Sequence, residues 1–169
     1  MELWTVGYGA WPAKTRAVRL VEALTRRGVT RVVDTRLCPC SSTPEAARPY
    51  GPKSWTLQAG DAGIAALLRS AGLAYEWIVE LGNPQRRDPA MAVLRAHLAD
   101  PEGGWPVHRG LGRLAGRVRT PGQVVALLCA CADARACHRT VLAHALAERH
   151  FGGALTVREC VEGRQSPNA

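Results

Sequence analysis

The sequence predicts an α/β domain: one three-layer unit with a mainly parallel sheet of about five strands and helices on both faces. Three observations carry that prediction. Short aliphatic or β-branched runs alternate along the chain with stretches of helical period, the pattern of successive βαβ units. The most apolar run, Val124 to Cys131, is almost unbroken, as for a strand covered on both faces. A length of 169 residues with 47% hydrophobic and 21% charged residues suits a single domain with an ordinary core.

Each element follows in turn. Leu3 to Val6 reads as a first strand ending in Gly7-Tyr8-Gly9. Ala17, Leu20, Val21 and Leu24 repeat at helical spacing, with Gly28 placed for a C-terminal cap. Val29 to Val33 is a β-branched second strand running into Asp34-Thr35-Arg36. A helix from about Asp61 carries Ile64, Leu67 and Leu68, and Ala74 to Leu81 reads as a third strand before Gly82-Asn83-Pro84. The next helix opens on Asp88 as N-cap with Pro89 at the first helical position, and turns Met91, Leu94 and Leu98 inward. Residues 101–122, rich in Gly, Pro and Arg, form an insertion with a short, weak helix over Leu111, Leu114, Ala115 and Val118. After Val124 to Cys131 a helix runs from about Cys137 to Arg149, and Ala154 to Cys160 closes as the last strand. The domain spans 1–161, with 162–169 as a frayed tail. Pro39 to Gly60, with four prolines and no periodicity, is long enough to be a lid or binding loop.

The formal net charge is +8. Only Lys14 and Lys53 among the 22 basic residues are lysines, and no block of five or six like charges occurs, so the charge reads mainly as composition. No run approaches the roughly 18 apolar residues of a membrane span, and Met1-Glu2-Leu3-Trp4 has no signal-peptide character. The six cysteines are therefore expected in a reducing cytoplasm, as ligands, nucleophiles or core filler.

In open α/β sheets ligands bind at the carboxyl ends of the strands. That rule gathers Gly7, Tyr8, Gly9, Asp34, Thr35, Arg36, Cys38, Cys40, Gly82, Asn83, Cys131, Cys137, His138 and Arg139 along one edge. Cys137-His138-Arg139 opens a helix, where free N–H groups attract anions and lower a thiol's pKa. Cys137 is thus the candidate nucleophile, His138 a candidate acid or base, and Arg36 and Arg139 the arms that hold an anion, with Asp34 as acid or base. Gly7, Gly9 and Gly82 allow close backbone approach to a ligand or form tight turns. Cys129 to Arg135 matches the Cys-x5-Arg spacing of phosphate loops. That match is coincidental, because the segment lacks a glycine and arginine falls at any chosen position about one time in eight by composition.

The pairs Cys38-x-Cys40 and Cys129-x-Cys131 form an alternative metal set, since residues i and i+2 of a strand share a face and zinc takes four thiolates tetrahedrally. Cys38-Pro39 also matches a short haem-contacting dipeptide. Trp11 and Trp55 offer stacking surfaces for a ring, or pin their loops to the core.

Thr5-Val6-Gly7-Tyr8-Gly9, Val33-Asp34-Thr35-Arg36, Glu80-Leu81-Gly82-Asn83 and Leu127-Leu128-Cys129-Ala130 followed by Cys137-His138-Arg139 together resemble the family known as domain of unknown function 488. The resemblance runs from about Leu3 to Arg149 and implies a single cytoplasmic α/β domain without naming a reaction. The chain departs from the family pattern at Tyr8-Gly9, where His-Ser is frequent, at Cys131, where an acidic residue is common, and at Asn83, where glycine is frequent. The leading expectation is an enzyme that binds a phosphorylated or carboxylated small molecule. The alternatives are a nucleic-acid-binding protein using its arginines and a cysteine-held zinc or haem protein.

Overall fold

A computed structural model of the chain describes residues 1–37, 63–85, 88 and 90–161. Its sheet has five parallel strands, β1 (Glu2–Gly7), β2 (Arg31–Asp34), β3 (Ala74–Trp77), β4 (Val125–Cys129) and β5 (Thr156–Glu159), in the order β3-β2-β4-β1-β5. Among the described residues five helices cover it: α1 (Arg16–Thr25), α2 (Ile64–Ser70), α3 (Ala92–Ala99), α4 (Pro106–Arg119) and α5 (His138–Phe151). The expected fold is present. No described helix is long and apolar enough to cross a membrane.

Alternation along the strands divides the core in two. Val6, Val32, Ala126 and Leu128 face α1 and α2, packing with Leu20, Leu24, Ile64 and Leu68. Leu3, Val33, Val125 and Leu127 face the other way, onto Leu94, Leu111, Leu114, Leu142 and Leu146 of α3, α4 and α5. β4 feeds both clusters, and all five of its residues are buried.

Several boundaries differ from expectation for local reasons. β3 stops at Trp77, because Val79–Leu81 turns into a single 3-10 turn that buries Leu81 against α4. The Arg-rich stretch forms a full 14-residue helix with proline in its first turn, since Val107, Leu111, Leu114, Ala115 and Val118 make one buried stripe. α3 begins at Ala92 rather than beside Asp88. Met91 takes a left-handed conformation (φ 55°) and drops into the core, while the Asp88 carboxylate still accepts the Val93 N–H at 3.2 Å. Cys38, Cys40, Trp55, Pro89, the loop at 39–60, the start of the helix predicted from Asp61 and the tail 162–169 lie outside the described residues.

Two crossovers place the site. From β1 the chain passes through α1 over β4 to reach β2. From β4 it passes through α5 over β1 to reach β5. The neighbouring strands β1 and β4 thus send their helices to opposite faces, so their carboxyl ends form the topological switch point where such sheets open a crevice.

Candidate functional site

The crevice at that switch point has a volume of about 860 Å³. Gly9, Ala10, Trp11 and Pro12 line it from the loop after β1, Ala132 to Arg135 from the loop after β4, and Glu159 and Val161 from the end of β5. The glycines of the first loop are needed for chain packing. A Cβ on Gly7 would overlap the Cys131 carbonyl oxygen and Arg139, and one on Gly9 would overlap the Ala130 carbonyl. Gly9 donates its N–H to that same carbonyl at 3.1 Å. Gly82 packs in the same manner against Leu37, and Asn83 receives the Gln85 N–H at 3.3 Å.

At the inner end of the β4–α5 loop three thiols converge. Cys129 ends β4, Cys131 follows in the loop, and Cys137 is the residue before α5 with extended backbone (φ −125°). Their sulfurs all lie within 4.8 Å of one another, Cys129 to Cys131 at 3.7 Å. The His138 Nδ1 sits 3.7 Å from the Cys129 sulfur and 4.0 Å from that of Cys137. On the far side of the ring, Nε2 lies 2.9 Å from the Thr35 carbonyl oxygen. A carbonyl only accepts, so the Nε2 hydrogen is fixed there and Nδ1 faces the sulfurs.

Three packed thiols share charge unequally. Hydrogen bonds from Cys129 and Cys137 bring the half-buried Cys131 down to about 2, so it is the thiolate of the group. Its hydrogen bond to Cys131 holds Cys129 up at about 11, and hydrogen bonds to both neighbours raise Cys137 as well. The nucleophile expected at Cys137 is thus a buried thiol pushed up by its neighbours, while the thiol pushed down is Cys131, six residues earlier in the same loop. Burial works against a charge on His138, but its hydrogen bond to Cys137 prevails and its pKa is raised.

Arg139 is fully buried beneath this group, where Nη1 donates to the Cys131 carbonyl at 3.0 Å and Nε and Nη2 each reach Glu159 at 3.4 Å. Glu159 also accepts the Thr5 hydroxyl at 2.5 Å, leaving its other carboxylate oxygen buried with no hydrogen bond.

Asp34 and Arg36 close the end of β2. Asp34 is fully buried and accepts from the Arg36 backbone N–H, Nε and Nη2 (3.0, 2.9 and 2.5 Å) and from the Tyr75 hydroxyl at 2.7 Å. Arg36 reaches on to the Tyr8 hydroxyl at 3.0 Å and accepts the Trp77 indole N–H on its carbonyl at 2.8 Å. Burial, together with the charge and hydrogen bond of Asp34, raises the Tyr75 pKa and keeps its phenol a donor. Both carboxylate oxygens are thus engaged within the fold. The structure brings Gly7, Tyr8, Gly9, Cys129, Cys131, Cys137, His138 and Arg139 around the ends of β1 and β4 and holds Asp34 and Arg36 in their own ion pair beside Tyr8.

Sequence reasoning passed over Glu159 and set Arg135 aside with the Cys-x5-Arg match; both line the crevice, as does Asp133 on the β4–α5 loop side. Glu159 offered a signal, a carboxylate at the carboxyl end of a strand. Among the described residues Cys137 joins Cys129 and Cys131; Cys38 and Cys40, the other half of the expected metal set, lie outside the described residues.

A family model described as "Domain of unknown function DUF488" matches residues 50–146, more than half of the chain and without the motifs of β1 and β2. No curated protein and no solved structure matches the chain.

Proposed function

From a chain that belongs to the DUF488 family, whose description assigns no activity, we propose an enzyme whose substrate is a small molecule bearing a phosphate or carboxylate, bound in the crevice between the β1–α1 and β4–α5 loops. The observation that carries this reading is the switch point itself, where opposed crossovers open a crevice walled by Trp11 on one side and Ala132–Arg135 on the other. The anion would sit toward α5. No side chain caps that helix, so its first-turn N–H groups and dipole favour negative charge. Arg135, with 93% of its side chain exposed and an ion pair to the half-exposed Asp133 at 3.4 Å, is the cation at the rim. Arg36 and Arg139, expected to grip the anion, are instead occupied within the fold. Glu159, a carboxylate that lines the crevice from the end of β5, takes the acid–base place first given to Asp34.

The arginine surface gives less support to a nucleic-acid partner. Arg31, Arg113 and Arg117 are drawn onto Glu76, and Arg113 also onto Glu80, rather than set out as a free basic face.

Thermal unfolding with orthophosphate, pyrophosphate and adenosine monophosphate tests the proposal. At a hundred times its Kd a ligand adds about 2.7 kcal/mol, which for a domain of this size raises Tm by roughly 5 to 10 °C. The expected result is such a rise with at least one of the three, reduced or lost in Arg135→Ala without a change in the unliganded Tm. No rise with any of them, or the same rise in Arg135→Ala, overturns the anionic-substrate reading.

A further inference from the structure

We propose that Cys129, Cys131, Cys137 and His138 together hold one zinc-class metal ion, bound tetrahedrally through three sulfurs and the imidazole Nδ1. The proposal goes beyond the crevice reading and stands on a different set of atoms.

Spacing is the first ground. Zinc–sulfur bonds of about 2.3 Å at tetrahedral angles put neighbouring sulfurs about 3.8 Å apart. The Cys129 and Cys131 sulfurs are 3.7 Å apart, and the third sulfur lies within 4.8 Å of both. His138 Nδ1 lies 3.7 and 4.0 Å from the sulfurs of Cys129 and Cys137 and outside the 4.8 Å group that the three sulfurs form, so the ring would have to move inward to take the fourth corner.

The second ground is the ring's orientation. A metal-binding histidine usually gives its other N–H to a carbonyl or carboxylate, which fixes the tautomer and aims the free lone pair at the ion. His138 does this through Nε2 and the Thr35 carbonyl at 2.9 Å. Thr35 is fully buried, and its own hydroxyl bonds the Leu128 carbonyl at 3.0 Å, so the acceptor is held in place.

Charge is the third. Three thiolates and one divalent ion carry a net charge of −1, and a buried anion needs a partner. The fully buried Arg139 guanidinium, shared with Glu159, lies against the Cys131 carbonyl, and the positive end of the α5 dipole points at Cys137. Cys160 is a useful contrast: also buried, it packs among apolar side chains of the α1–α2 core cluster and outside the group of three sulfurs.

Donor chemistry selects the metal. Three soft thiolates with one imidazole in a tetrahedral frame suit zinc, and four protein ligands leave no position for a reacting water. The ion would therefore brace the crevice wall, tying the end of β4, the loop and the first turn of α5 to one point.

The test uses the full chain, untagged and purified without chelator. Elemental analysis should find about one equivalent of zinc. The stripped protein titrated with Co²⁺ alone should show a thiolate-to-metal charge-transfer band and the intense visible bands of a tetrahedral site. Cys131→Ser, at the half-buried position, should weaken Co²⁺ binding at least about tenfold and diminish the charge-transfer band. His138→Ala should alter the visible bands while keeping the sulfur band, and Cys160→Ser should match wild type in both. A protein that is metal-free as isolated and shows no charge-transfer band with Co²⁺ overturns the proposal. So does a full equivalent of metal retained in Cys131→Ser and Cys137→Ser but lost in Cys38→Ser or Cys40→Ser. Arg135→Ala is the separating variant: it should keep the Co²⁺ spectrum while losing the anion-induced rise in Tm, so either reading can fail without the other.

Discussion

Asp34 shows how much a single buried charge can be required to do. Its carboxylate is fully enclosed, and the Arg36 side chain that neutralises it is 8% exposed. Removing one member of a buried pair leaves the other charge without compensation, at about 3 to 5 kcal/mol. Asp34→Asn should therefore destabilise the protein by about that amount in urea unfolding. Tyr75→Phe, which deletes one donor and no charge, should cost about 1.5 to 3 kcal/mol. Equal effects from the two substitutions would mean that the ion pair is not what holds the end of β2. The sequence showed Asp34 and Arg36 at a strand end on one face, and both readings, ligand site and mutual pair, fit that placement. What decides between them is Tyr75 arriving from β3 and Tyr8 from the loop after β1, contacts that depend on strand order. The same holds for the cysteines. Cys137 meets Cys129 and Cys131 only because the loop at 130–136 folds back on the end of β4, with Gly7 leaving room for the Cys131 carbonyl.

Between elements, one carboxylate gathers three arginines from two neighbours. Glu76 on β3 binds Arg31 of β2 at 3.5 Å and Arg113 and Arg117 of α4 at 3.2 and 2.7 Å. The hydrogen bond from Arg117 leads the effects that hold its pKa below the ordinary value, outweighing burial, with Arg113 adding to it. A carboxylate whose pKa is lowered on folding stabilises the native state above its unfolded pKa of about 4.3, and loses that contribution as pH falls through the folded value. The arginines are nearly half exposed, so the network is worth about 1 kcal/mol. Glu76→Gln should thus lower Tm by roughly 2 to 4 °C at pH 7, and the gap should close as pH drops below about 4. A gap that persists at low pH would assign the loss to packing instead. This network also explains why α4 exceeded the weak helix expected of it. Helical propensity along Gly110, Gly112 and Gly116 is poor, but an apolar stripe and two arginines anchored on β3 supply what the local sequence lacks. Strand positions, by contrast, were legible to within a residue or two, because β-branched and aliphatic runs report burial directly, except at the end of β3, which stops four residues early.

For the molecule as a whole, the question is whether the proposed metal centre acts locally or on the entire domain. Cys129 ends the strand whose alternate residues build both core clusters, with Val125 and Leu127 on one side and Ala126 and Leu128 on the other. Cys137 and His138 start α5, which contacts β1, β4 and β5. An ion joining these points binds the folded arrangement and not the unfolded chain, so its removal withdraws binding free energy from global stability. At free metal a hundredfold above Kd that amounts to about 2.7 kcal/mol, or roughly 5 to 10 °C in Tm. Calorimetry before and after chelation should show one cooperative transition moved down by about that much, and Co²⁺ should restore it. Two separate transitions would mean that α5 and its face of the core unfold apart from β4, contrary to the shared strand. An unchanged Tm would mean that the three sulfurs and His138 hold nothing the native state depends on.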